Sequence, residues 1–130
     1  MHLFTKMPLI VLSLLYGGLS IFLFNEFGVK IVNDSHRYLE YASNLENGFY
    51  FDKHNFWYFG YVLFIFIFHL LYKDPLAVIV AQYLLGFIAI LAVYKTSLLL
   101  FQDTRTAIIT AVCYMLFIEI SCWNSYILCE

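Results

Sequence analysis

A chain of 130 residues that is 63% hydrophobic, 21% aromatic and only 12% charged, with a mean hydropathy of +0.81, is too apolar for a water-soluble domain, where charged residues alone make up about a quarter. Its formal net charge of −2 leaves no basic footprint for nucleic acid. At this length there is room for several membrane-crossing helices but not for a separate soluble domain, so we expect an all-α membrane protein forming one domain over residues 1–130.

About four transmembrane helices are expected, because four apolar segments approach the roughly 20 residues needed to cross a bilayer. They cover residues 7–24, 56–72, 76–100 and 107–128. Lys6 precedes the first segment as it would in a signal peptide. The apolar run exceeds the roughly 7–15 residues of a signal core, however, and Gly17-Gly18-Leu19-Ser20 is a poor cleavage site, so a retained anchor is expected. Lys73-Asp74-Pro75 reads as a tight turn joining the second and third segments into a hairpin, with Pro75 in the first turn of a helix, where its missing N–H costs nothing. Asp103 or Thr104 is the expected cap of the last helix.

Between the first two segments lies a polar island, residues 33–58. From Asp34 to Gly48 the residues Tyr38, Tyr41, Ala42, Leu45 and Phe49 recur at helical spacing, while Arg37, Glu40, Asn44 and Asn47 point elsewhere. This pattern predicts an amphipathic helix at the membrane interface, stopped by Gly48. Asp34 stands at its start, where the helix dipole favours an anion, and four residues before Tyr38 it shares the apolar-facing side. Arg37 follows at a spacing that permits an ion pair. Two readings of Asp34 are open on these residues: an N-cap for a helix beginning at Ser35, or a chemical group.

The order of these features resembles the start of the GT-C membrane glycosyltransferases. It is similar in particular to the branch that contains the lipid A aminoarabinose transferases and protein O-mannosyltransferases. The residues that carry the resemblance are Asp34, Arg37, Tyr38, Tyr41 and Ala42, followed by Tyr50-Phe51-Asp52-Lys53. The stretch from Val93 to Val112 and the closing Trp123-Asn124-Ser125-Tyr126-Ile127-Leu128-Cys129-Glu130 extend it. His54-Asn55 stands where the family usually has a Pro-Pro pair. The resemblance implies an enzyme of the bacterial inner membrane that moves a sugar, with inversion, from a polyprenyl-phosphate donor to an acceptor hydroxyl or amine outside the cytoplasm. By family position Asp34 is the catalytic base, Arg37, Lys53 and Tyr38 bind the donor, and Asp52 holds a divalent metal ion. The family's members are several times longer, so the resemblance also implies the amino-terminal part of such a module, inactive alone. The competing expectation is a small non-enzymatic membrane scaffold or assembly partner. A transporter half is a third, resting on Glu119 and the hairpin.

Other polar residues receive quieter readings. The aromatic cluster formed by Phe49, Tyr50, Phe51, Phe56, Trp57, Tyr58 and Phe59 could bed a lipid or a sugar, but is expected to be an interfacial belt. Glu119, inside the fourth apolar segment, is a functional candidate because burying a carboxylate in lipid is expensive. Gln82 is expected to hydrogen-bond between helices, and His69 to line a packed face or reach the headgroups. Cys113, Cys122 and Cys129 match no metal or redox spacing. Four spans would put Lys6 and Lys73 on one side and Lys30, Arg37, Lys53, Lys95 and Arg105 on the other. The positive-inside rule then places the Asp34 loop in the cytoplasm, whereas the family resemblance implies the outer side.

Overall fold

The computed structural model describes residues 2–48, 53 and 56–127. Among them the fold is all-helical, without strands. Helix α1 is His2–Phe27, α2 is Asn33–Asn44 continued by a 3₁₀ turn at Leu45–Asn47, and α3 is Phe59–Leu71 preceded by a 3₁₀ turn at Phe56–Tyr58. Helix α4 is Pro75–Phe101, α5 is Thr104–Met115 and α6 is Ile118–Trp123.

The helix ends follow local chemistry. Gly28, at φ +59°, donates its N–H to the Phe24 carbonyl at 2.7 Å and stops α1 in the left-handed conformation that glycine adopts freely. Gly48, at φ +121° and ψ 158°, ends the α2 run in a region essentially reserved for glycine. Asp74 accepts from the Leu76 N–H at 2.8 Å with Pro75 in the first turn, and Asp103 caps α5 by accepting from the Thr106 N–H at 2.8 Å. The Thr106 side-chain and backbone hydrogen bonds hold the exposed Asp103 carboxyl below its ordinary value.

Two helices, Met7–Phe27 and Pro75–Phe101, are long and apolar enough to cross a membrane. The other two expected spans are shorter. Helix α3 has 13 residues, and the fourth segment breaks after Met115 into α5 and the six-residue α6. At that break the Ser121 hydroxyl donates to the orphaned Met115 carbonyl at 3.1 Å. Glu119 falls in the first turn of α6, a position that favours an anion, and it is exposed.

Packing divides into two clusters along α4. Near its start, Val78 and Ile79 are buried with Tyr38, Tyr41 and Ala42 of α2, Val62 and Ile65 of α3, and Ile127. Further on, Ile90 and Tyr94 are buried with Leu12 and Tyr16 of α1 and with Ala107, Ala111 and Met115 of α5. The far end of the chain returns to the end of α1: Lys30 N–H donates to the Ser125 carbonyl at 2.9 Å, and Ile127 N–H to the Lys30 carbonyl at 3.2 Å.

Helix α2 lies along the whole of α3. The Tyr38 ring packs 5.5 Å from that of Tyr58 and 5.8 Å from that of Tyr61, at the α3 start. At the other end Glu46 reaches Lys73 at 3.5 Å and His69 at 3.7 Å. Lys73 stands with the α2 region rather than across the molecule from it, because α3 runs beside α2 instead of carrying the chain away.

Candidate functional site

The expected site is built on the first turns of α2 and the approach to α3. Helix α2 presents Ser35, Tyr38, Tyr41 and Ala42 to the core, leaving Asn33, Asp34, His36 and Glu40 exposed. The N-cap position is Val32, and no side chain caps it. The Ser35 hydroxyl instead accepts from the Val32 N–H at 2.9 Å, folding the first turn back on its entry strand. Asp34 is therefore not the N-cap. Nor does it face the apolar side as expected: its side chain is 57% exposed, because Ser35 occupies the inward position.

Arg37 and Lys53 line one cleft of about 440 Å³ together with Trp57 and Tyr58. The Asp34 carboxylate lies 3.6 Å from the Arg37 guanidinium, an i, i+3 pair. Arg37 also stacks over Tyr38, with Cζ 5.8 Å from the ring centroid. Among the described residues its Nε is a buried donor without a partner. An orphaned donor of this kind costs about 1–3 kcal/mol until an acceptor meets it. A cleft lined by two cations is chemically suited to an oxyanion.

Tyr38, expected to touch the donor, is 2% exposed and packs beneath Arg37 between Tyr58 and Tyr61. It orients the guanidinium from below. Asp52, the expected metal ligand, lies outside the described residues, as do Phe49, Tyr50, Phe51 and Cys129. Among the described residues no three His, Cys, Asp or Glu side chains gather into a ligand set.

Sequence reading assigned Trp57 and Tyr58 to a general aromatic belt and missed their place beside two cations. A short loop between α2 and α3 could have suggested it. Glu46 was missed altogether, since its partners at 69 and 73 belong to a later helix and no spacing rule joins them. Gln82 does bond between helices, donating to the Tyr61 hydroxyl at 3.2 Å and the Tyr126 carbonyl at 3.0 Å. No family model, curated protein or solved structure matches this chain.

Proposed function

We propose that this chain is a lipid-phosphate-binding module of a polyprenyl-phosphate-sugar-dependent inverting glycosyltransferase of the GT-C type, with the Arg37–Lys53 cleft holding the donor phosphate. The observation that supports it most is the convergence of Arg37 and Lys53 on one cleft. Guanidinium supplies a planar fork and ammonium a point charge, the two modes by which proteins hold phosphate. Trp57, 84% exposed, offers an aromatic surface to the first part of a lipid tail or to a sugar.

In the reaction, the acceptor oxygen or nitrogen bonds to the anomeric carbon as the bond from that carbon to the phosphate oxygen breaks, its electrons leaving with the phosphate. Asp34 takes the acceptor proton late, when the new bond has made it acidic. Its pairing with Arg37 suits this sequence, because a phosphate that draws the guanidinium inward loosens the carboxylate. A divalent cation at Asp52 would add charge against the leaving phosphate.

Helix lengths and faces support one membrane arrangement. Helix α4, of 27 residues, is about 40 Å long and exceeds the roughly 30 Å hydrocarbon core. Its first turns, where α2 and α3 pack, then stand at headgroup level, and the polar face of α2 meets water on the outer side. Helix α1, α4 and the broken α5–α6 stretch traverse the bilayer, while α3 dips in beside α2. A four-span arrangement would instead set the exposed Asn33, His36, Glu40 and Asn44 alongside a spanning α3, at the cost of polar groups in hydrocarbon.

The second reading, a non-enzymatic membrane scaffold, draws on the exposure of Asp34. One binding experiment separates the two. The chain in phosphatidylcholine nanodiscs is titrated with farnesyl phosphate and with farnesol. The enzyme reading expects the phosphate to bind at least about tenfold more tightly, a preference lost in the Arg37→Ala/Lys53→Ala double variant. Equal affinities would leave the scaffold standing.

A further inference from the structure

The fourth apolar segment carries two features that lipid alone does not satisfy. Its helix is interrupted at Leu116 and Phe117, between α5 and α6, and these residues are 62% and 55% exposed. Shortly after them stands Glu119, also exposed, within an apolar patch that continues through Ile118, Ile120 and Trp123. Among the described residues Glu119 forms no ion pair.

Depth makes both features costly. Met115 is buried with Ile90 and Tyr94, and Ile120 and Ser121 line one cleft with Leu85, Gly86, Ala89 and Ile90. Ile88 is the midpoint of α4, Pro75–Phe101. Where α4 crosses the bilayer, the break and Glu119 therefore lie near the bilayer centre. Interrupted backbone at that depth is tolerated under protein or beside a water-filled cavity but not against hydrocarbon, because the first N–H groups of the new helix have no intrahelical acceptor. A carboxylate there is expensive as well, and in spanning segments such groups pair with others.

We propose that this face docks a transmembrane helix of another protein, one that carries an arginine or lysine near its middle. The patch supplies apolar contact, the partner's backbone shields the break from lipid, and Glu119 meets the cation. A cation halfway along a spanning helix is as costly alone as the carboxylate, and pairing relieves both. A second copy of this chain does not offer that cation, since copies inserted the same way keep each residue at its own depth. Lys95 stands five residues beyond Ile90, about 8 Å along α4. Lys30 accepts from the Ile127 N–H, and Ile127 packs with Val78 and Ile79, six or more residues, about 9 Å, before Leu85. The inference rests on α4 crossing the bilayer, as proposed above, and not on the phosphate cleft, so the farnesyl phosphate titration and the assay below fail separately.

The test reconstitutes the whole chain, labelled at its amino terminus with a donor fluorophore, in phosphatidylcholine vesicles. Acceptor-labelled synthetic helices of roughly 20 leucines and alanines are added, and energy transfer reads association. One peptide carries arginine at its centre, a second carries leucine there, and a third carries the arginine roughly five residues, about 8 Å, off centre. The centred arginine peptide is expected to associate about tenfold more tightly than the leucine peptide, and more tightly than the displaced one. Glu119→Gln should abolish that preference while helicity by circular dichroism stays unchanged, and Glu119→Asp should retain it. Should Glu119→Gln fail to fold, the peptide series on the native chain carries the test. Equal association of the centred arginine and leucine peptides, indifference to the depth of the arginine, or a preference that survives in folded Glu119→Gln overturns the proposal. Energy transfer between differently labelled copies of the chain that is lost in Glu119→Gln overturns it too, by assigning the face to a second copy.

Discussion

Helices α2 and α4 solve opposite problems. In α2, four of 12 residues are buried and the rest of the surface is largely polar, so the helix has a single favourable way to lie. In α4, Val78, Ile79, Ile90 and Tyr94 are buried, yet Val80, Leu84, Leu85, Ile88 and Leu99 are exposed and equally apolar. Water would leave that outer face uncovered, whereas lipid covers it. The contrast teaches that orientation in α2 is encoded by pattern, while in α4 it is set by a few close-packed and hydrogen-bonded positions.

Substitutions sharpen this contrast in descending order of effect. Tyr38→Ala removes one of the two buried tyrosines of α2 and should cost about 3 kcal/mol or more in denaturant unfolding of the detergent-solubilised chain. Ile88→Lys places a charge on the outer face of α4 and should cost about 2–3 kcal/mol of membrane insertion, read from the inserted fraction in a translocon assay. Ser43→Lys, on the exposed face of α2, should leave insertion unchanged; an equal loss would erase the distinction between the two helices. Ser35→Ala deprives the Val32 N–H of its acceptor and should lower stability by about 1 kcal/mol. Glu46→Gln unties the α2 end from Lys73 and His69 and should cost less than about 1 kcal/mol, an effect that salt diminishes, since the Lys73 side chain is 75% exposed.

The smallest effect is a titration. Asp103 has a lowered value in the folded chain, so its cap on α5 is fully present above its ordinary value of 3.8 and is lost as pH falls through the lowered one. The protection of amides in the first turn of α5 against exchange, relative to their intrinsic rates, should therefore fall only under strongly acid conditions, and Asp103→Ala should remove that fall.

Much of the fold was legible where single residues decide it. Pro75 after Asp74, Asp103 before α5 and Gly48 after the α2 run marked boundaries that backbone sterics and capping dictate. The buried set Tyr38, Tyr41 and Ala42 followed from spacing alone. The break between Met115 and Ile118 was not legible, because Leu116 and Phe117 are as apolar as the residues around them and the Ser121 hydroxyl that stabilises it lies several positions later. Asp34 was misread for a related reason. Position four before Tyr38 and position three before it are both near the inward face, and only the Ser35–Val32 bond decides which one turns in. Of the candidate site, the cations were legible and their shared cleft was not, since Arg37 and Lys53 lie too far apart in sequence for a spacing rule to join them.

The main-chain exchange between Lys30 and the Ser125–Ile127 segment sets a timetable for synthesis. Its partners lie about a hundred residues apart, so at ribosomal speed Lys30 waits on the order of ten seconds for them. Through that interval the polar helix that follows Lys30 must find α3 before its seam with the end of the bundle can close, and a nascent chain halted early would keep that seam open to chaperones.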